Sequence, residues 1–392
     1  MKTTRQIPRL CSWKLLLIAI LALLSTECAR KTRQVSETQP QPSAIGVSVS
    51  ASGPIVLTTS AAEFQVLPSG YIQASLLQDG KKLSLDEPQE GNPAESDYLV
   101  DAGGAVHFTP DLSHAKVDEA TGKLGRGKRV TIPAQAAGLP GKILQRTLQI
   151  EVYDDFPTLL LSSATYTNTG TSDYQIDKIV EQQHRFNSHA MKEAPYDMWS
   201  YQGASYDWGE DDIVKLTKTF SRPNVLGAVV KDGYGGGIPV AAFWNASVGE
   251  AIGHVETLPL SLSLPVKVET DGRVDASVTI PMNATLKPGE TYSTPRSFLA
   301  IYSGDFYQPL RLWSSVLQKE GWELPKPSSE AYNVSWCGWG YEFNVTPAQM
   351  LGTVPKLKSS ASSGLLWTIA GSIRTATGIH ERIHSRAIQS RR

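Results

Sequence analysis

Cysteine is nearly missing: the 392 residues hold three, Cys11, Cys28 and Cys337. The first two fall in or at the end of the N-terminal leader described below, so a mature fold keeps one thiol and has no intramolecular disulfide framework. An excess of one charge is missing too. Thirty-seven Lys and Arg stand against 38 Asp and Glu, a net charge of −1, which gives no general affinity for nucleic acid or an anionic membrane. Helix-period stretches are few, whereas Gly (32) and Pro (24) are common, a balance that favours strands and turns. A hydrophobic content of 41% is enough for a real core. The length leaves room for two or three domains, or for one large β domain plus something else.

What is present begins with an address. Lys2, Arg5, Arg9 and Lys14 precede ten apolar residues, Leu15 to Leu24, and then the polar run Ser25 to Ala29. A charged segment before an apolar core too short to span a bilayer comfortably predicts a secretory signal over 1–29, with a short membrane anchor as the alternative. The chain is therefore expected to be exported to the periplasm, the cell surface or the medium. Cys28 stands where a bacterial lipoprotein is cut and acylated, although Glu27 is a poor fit for the small residue usual there. A lipid anchor at Cys28 is the one membrane contact the sequence offers. Residues 30–44 are polar and contain proline, as a flexible linker does.

From Ile45 to about residue 300 the pattern is strand after strand. YIQASLLQ, RVTIPA, ILQRTLQIEVY, TLLLSSATYTN, LPLSLSLPVKVET and RVDASVTIPMNATL alternate in polarity, separated by turn signals such as Leu139-Pro140-Gly141 and Lys287-Pro288-Gly289. Period-two alternation over so many segments predicts antiparallel sheets with one buried face, and a long run without helices predicts a large two-sheet sandwich over 45–300. Within 301–330, FYQPLRLWSSVLQKEGW places Leu310, Leu312, Trp313, Val316 and Leu317 near one face of a linking helix.

Several motifs follow in order. Asp197 to Gly203 reads DMWSYQG, Tyr234 to Val240 reads YGGGIPV, and Gly253 to Glu256 reads GHVE. Three glycines with no helix pattern after them mark a tight turn rather than a phosphate cradle. His254 beside Val255 reads as a hydrogen-bonded structural residue more than as a ligand. Glu256 is able to reach a sugar hydroxyl or simply to face out of a strand. Ser335 to Phe343 reads SWCGWGYEF, a short apolar strand and loop. A helix follows, with Thr346 as N-cap, Pro347 in its first turn and Leu351, Val354 and Leu357 as an apolar stripe. A strand, a loop and an amphipathic helix over 331–358 make one βα unit. In a βα barrel the residues just past such a strand sit at the active-site mouth. Trp336 and Trp339 would offer flat apolar faces to a sugar there, or pack the barrel floor.

Together these segments, from about Ser50 to Lys358, resemble the bacterial α-galactosidases of the melibiase type. The GGGIPV, GHVE and LKPGE segments, RSFLAIYSGDFYQPL and WCGWGYEF stand in that family's order. The resemblance implies a mainly β fold: a large antiparallel β-supersandwich, a linker helix and the first βα unit of an incomplete (β/α)8 barrel. It implies retaining hydrolysis of terminal α-galactosides by two carboxylates, no metal or organic cofactor, and an α-galactoside glycan as partner. Trp336 would line the subsite for the terminal sugar, with Trp339 beside it. A non-catalytic, exported carbohydrate-binding sandwich is the alternative, although such a module has no use for the first unit of a barrel.

No catalytic carboxylate can be carried over, because the family draws both from later barrel strands. Where it has an Asp-Asp-x-Trp motif, this chain reads Leu365-Leu366-Trp367-Thr368-Ile369-Ala370. From Ser359 to Arg392 there are seven serines, five arginines and two histidines, Glu381 is the only acid, and Phe and Tyr are absent. Codon degeneracy permits those residues, read one base earlier from Lys358, to become KELGIKWATLDDRWFN, one further residue, then YGDWHPRTDSFPGDSI. That text carries the aspartate pair. Residues 359–392 are therefore expected to be out of frame and disordered, and the chain a truncated, inactive α-galactosidase.

Overall fold

Strand Leu144–Tyr153 buries every second residue from Leu144 to Val152, and Gly125–Ala136 does the same with Val130, Ile132 and Ala134. Both lie in an 11-stranded sheet of the computed structural model. The structure describes residues 42–50, 53–87, 95–136, 143–187, 198–204, 212–226, 229–230, 233–234, 237–323, 326–327 and 346–359. Leu15–Leu24, Cys28, Leu139-Pro140-Gly141, Trp336, Trp339 and residues 360–392 lie outside them.

The 11-stranded sheet runs in the order Ile213–Lys215, Trp199–Ala204, Gly237–Trp244, Gly249–His254, Ser297–Tyr302, Phe156–Asn168, Leu144–Tyr153, Gly125–Ala136, Phe108–Pro110. Off this path, Thr291–Ser293 also pairs with Phe156–Asn168, and Lys116–Gly122 with Gly125–Ala136. An 8-stranded sheet centred on Tyr174–Phe186 and Val274–Leu286, and a 5-stranded meander over Gly46–Leu83, are also antiparallel. An isolated bridge between Asp86 and Phe186 joins these two sheets. Strands Ala62–Val66 and Ile72–Gln78 of the meander, with Tyr174–Phe186 and Val274–Leu286, pack on the 11-stranded sheet. The expected antiparallel sandwich is therefore present, one of its layers made of two sheets.

The main core fills the sandwich, with Phe64, Ile150, Ile179, Phe186, Phe243, Ile252 and Leu299 all buried. Phe186 and Phe243 touch at 4.8 Å between ring centres. A second cluster joins Tyr153, Leu159, Phe298, Ala300 and Tyr302 on the other face of the large sheet to Val316 of helix Tyr307–Glu320. Strands Gly249–His254 and Ser297–Tyr302, covered on both faces, are buried at every position.

The chain passes between layers at several points, and one side chain closes two of them, after Phe156–Asn168 and after Val274–Leu286. Asn168, fully buried, ends a strand of the large sheet. Its Nδ2 donates to Ser172 O (2.9 Å) and Leu286 O (2.8 Å), and its Oδ1 accepts from Gly170 N (2.9 Å). Its backbone donates to Glu290 O and accepts from Gly289 N. The LKPGE turn returning from the second layer is therefore held on the outgoing crossover. Gly289 sits at φ +82°, a conformation that favours glycine.

One sequence expectation changes in detail. LPLSLSLPVKVET forms two short strands, Leu262–Ser263 and Val266–Val268, because Pro265 between them has no N–H to offer a ladder. The linking helix ends on Gly321 at φ +103°, with Gly321 N bonded to Gln318 O (3.1 Å) and Trp322 N to Leu317 O (2.9 Å), a Schellman-type stop.

Residues beyond Trp322 form a separate unit. Its described helix, Pro347–Ser359, opens as the sequence predicts. Thr346 N donates to Gln349 Oε1 (2.8 Å) and Gln349 N to Thr346 Oγ1 (3.3 Å), a reciprocal capping box. Leu351 in it is exposed.

Phe243→Ala removes a ring from the centre of the larger core. A loss of about 3–5 kcal/mol is expected, measured as a lowered urea midpoint with an unchanged slope. A loss below about 1 kcal/mol would contradict the packing described.

Candidate functional site: an enclosed polar core

Within the described chain, the motif residues Met198, Tyr201, Gly253, His254 and Glu256 make structural contacts. Gly253 stands where a Cβ would run into Pro239 O of the neighbouring strand and the Phe298 ring. His254 is 4% exposed, and burial pushes its imidazole down to about pH 4, so it is neutral near pH 7. Its Nδ1 accepts from Glu256 N (3.2 Å), and its carbonyl accepts from Trp313 Nε1 (3.0 Å). Glu256 Oε1 accepts from Arg296 N (2.9 Å), and Arg296 Nη1 reaches Glu320 Oε1 (2.6 Å). The GHVE segment thus clamps the linker helix to the sandwich. In the DMWSYQG segment Met198 is buried, and Tyr201 stacks on Phe306 at 5.4 Å. Trp199 pairs with Trp244 in register and is 41% exposed. Trp336 and Trp339 lie outside the described residues.

What sequence reading missed is a polar core between the layers. At Glu181–His184 the pairing with Val274–Leu286 slips, and Gln182 takes φ +48°. This bulge breaks the alternation of the strand, so Glu181, Gln182 and His184 are all buried. Two networks meet there.

In the first, Asp86 Oδ1 accepts from Tyr71 Oη (2.5 Å) and lies 3.4 Å from His184 Nδ1, while Asp86 Oδ2 accepts from Ala74 N (2.8 Å). His184 Nε2 lies 3.0 Å from Gln182 Oε1, and Gln182 Nε2 donates to Ser162 Oγ (2.6 Å). Glu250 reaches in from the large sheet, its Oε1 accepting from Leu85 N (2.6 Å), Ser84 Oγ (3.2 Å) and Asp86 N (3.3 Å). Burial, and then the charge of Asp86, raise the Glu250 carboxyl well above the usual range. One donor atom from each of Asp86, His184 and Glu250 lies within 4.8 Å of the others.

The second network surrounds Arg146, which occupies a core-facing strand position between Leu144 and Leu148. Its guanidinium bonds the carbonyl of Asp97, lies 3.4 Å from Glu95 Oε2 and sits 4.9 Å over the Phe108 ring. His107 Nδ1 meets Glu95 Oε1 at 2.7 Å. Burial and the nearby Asp97 raise Glu181 to about 8, so this carboxyl is largely protonated at pH 7.

Asp86, His184 and Glu250 are at most 3% exposed. A sugar cannot reach them, and the core therefore ties layers together or holds something small; it does not act on a glycan. The only hint in the sequence was the unbroken polar run Glu181-Gln182-Gln183-His184-Arg185 inside a strand pattern.

The described sandwich is thus a two-layer antiparallel β domain with a closed polar interior. No family model matches the chain. It is similar to an A type blood α-D-galactosamine galactosaminidase of Flavonifractor plautii, 24% identical over 297 residues, 72% of this chain and 26% of that protein. Among solved structures it is similar to the α-galactosidase of Lactobacillus brevis, with TM-score 0.48, 13% identity, 80% of this chain and 48% of the other covered. It is also similar to an α-galactosidase of Geobacillus stearothermophilus in complex with raffinose, with TM-score 0.44, 13% identity, 82% and 49% covered. The chain spans about a quarter of the curated relative and about half of these solved chains. The resemblance made out from the motifs is borne out by the curated relative, an α-galactosaminidase.

The Glu181 carboxyl has a pH consequence. Its folded pKa of about 8 lies above the ordinary glutamate value near 4.3. Between the two the folded chain keeps a proton that the unfolded chain has released, so stability falls as pH rises through that window and levels off above it. Glu181→Gln is expected to flatten the fall of the unfolding temperature between pH 5 and 8. Parallel curves for the two proteins would show that Glu181 does not titrate there.

Proposed function

We propose that this chain is the β-sandwich and barrel-opening part of an exported, retaining glycosidase acting on terminal α-galactosides or α-galactosaminides. The observation that carries this is the relationship to an α-galactosaminidase over 72% of the chain, together with motifs in the order of the α-galactosidases. In this reading the sandwich supports the start of the catalytic barrel. Trp336 lies under the apolar face of the terminal sugar with Trp339 beside it, and both catalytic carboxylates come from later barrel strands. Export follows from the leader over 1–29, and a lipid at Cys28 is its membrane-bound variant.

The reading also holds that residues 359–392 are out of frame. The test begins with the nucleotides from the Lys358 codon onward, which should encode Leu-Asp-Asp at positions 367–369 in the minus-one frame. The frame-restored protein is expected to hydrolyse an aryl α-galactoside or aryl α-N-acetylgalactosaminide, and the 392-residue chain neither. In the active protein Trp336→Ala should raise KM by about tenfold, the loss of a sugar-stacking contact of about 1.4 kcal/mol. A stop codon in the minus-one frame, or hydrolysis by the 392-residue chain, would overturn the out-of-frame reading. An inactive restored protein whose sandwich still binds galactosides would favour the carbohydrate-binding module instead.

A further inference from the structure

The sandwich interior places two carboxylates and an imidazole together from three separate segments: Asp86 in the loop after Lys81–Leu83, His184 on the bulged strand, and Glu250 on the large sheet. Each has one atom committed to the protein, and in Asp86 the second oxygen, Oδ1, also accepts from Tyr71 Oη (2.5 Å). Asp86 Oδ2 is held by Ala74 N, and Glu250 Oε1 by Leu85 N and Ser84 Oγ. Glu250 Oε2 is buried without a hydrogen-bond partner among the described residues.

The imidazole is the informative member. Gln182 Nε2 donates to Ser162 Oγ, so the Gln182 atom that meets His184 Nε2 at 3.0 Å is the carbonyl oxygen. With the amide so oriented, His184 donates from Nε2. In its neutral form Nδ1 then carries a lone pair, and it faces Asp86 Oδ1 at 3.4 Å. Two acceptors do not rest against each other unless something positive stands between or beside them. A ligand histidine donating its far nitrogen to an oxygen acceptor is the usual outer arrangement of a metal site. The 3.4 Å gap is also about the separation of two ligands placed ~2.0–2.2 Å from one tetrahedral ion.

We propose that Asp86, His184 and Glu250 form a structural divalent-cation site inside the sandwich, with a donor set of one imidazole nitrogen and two carboxylate oxygens that suits a zinc-like ion. Such an ion would pin the large sheet, through Glu250, to the facing layer, through Asp86 and His184. It would enter during folding, since all three residues are enclosed, and it takes no part in sugar chemistry.

The test uses the full 392-residue chain, refolded from denaturant in buffer with Zn(II) and in buffer with EDTA, then desalted. About one zinc per chain by elemental analysis is expected, with an unfolding temperature several degrees above that of the EDTA-refolded sample. Refolding with Co(II) should give a visible absorption band. Glu250→Gln should lose both the retained metal and the temperature difference. It also separates this site from zinc held at His380 and His384, which the substitution leaves in place. The site is overturned if zinc-refolded chain retains less than about a tenth of an equivalent, or if Glu250→Gln retains as much as the parent. In the first case protons keep the two carboxylates together, and Glu250→Gln should be at least as stable as the parent. Should Glu250→Gln fail to fold, the parent's metal content and its EDTA comparison decide.

Discussion

The sandwich depends on one buried amide. A β-strand that leaves one sheet for the facing one must abandon its ladder partners, and the freed backbone groups cannot stay unpaired in a dry core. Asn168 meets that demand at two of the crossings. Its side chain takes two carbonyls and one N–H, while its backbone bonds the Lys287–Glu290 turn coming back. An aspartate there has no donors for Ser172 O and Leu286 O, and a leucine satisfies none of the three groups. With the two crossings tied, the faces of the layers are fixed opposite each other, and the apolar positions of every long strand have a surface to meet.

The interior so formed is not purely apolar, and that feature has a cost. Burying a charge without a partner is expensive, yet Arg146, Glu95, Asp97, Glu181, Asp86, His184 and Glu250 all lie between the layers. Neutral Glu181 and the bonds from Ser84, Leu85, Tyr71 and Ala74 offset part of it. Because Asp86, His184 and Glu250 come from different sheets, their polar contacts specify how those sheets are aligned. Apolar packing alone tolerates several alignments. The positive φ at Gln182 is the strain that this arrangement retains.

On the outer face of the large sheet the logic differs. Helix Tyr307–Glu320 lies over Phe298, Ala300 and Tyr302, and its end is fixed by the chain Glu256–Arg296–Glu320. Gly253 allows the strands to approach closely beneath it. A motif that the sequence offered as chemistry, GHVE, is therefore a joint between sandwich and helix. This joint fixes where the sandwich unit ends in the chain.

Local rules made much of this legible from the sequence. Period-two alternation located Ile72–Gln78, Leu144–Tyr153, Phe156–Asn168 and Val274–Leu286. The apolar stripe of Leu310, Trp313, Val316 and Leu317 located the helix. Thr346 and Gln349 located the start of the last helix, because a cap is decided within four residues. The family resemblance was legible in motif order alone. The polar core was not. Asp86, His184 and Glu250 are separated by 98 and 66 residues in the chain, and apart from the polar run around His184 nothing local says that they are buried or whom they face. A strand pattern assigns polar residues to solvent, and the bulge that reverses this for Glu181 and Gln182 is set by the partner strand Val274–Leu286. Pairing register and the meeting of sheets are long-range outcomes, and they turned a polar run in one strand into the interior of the molecule.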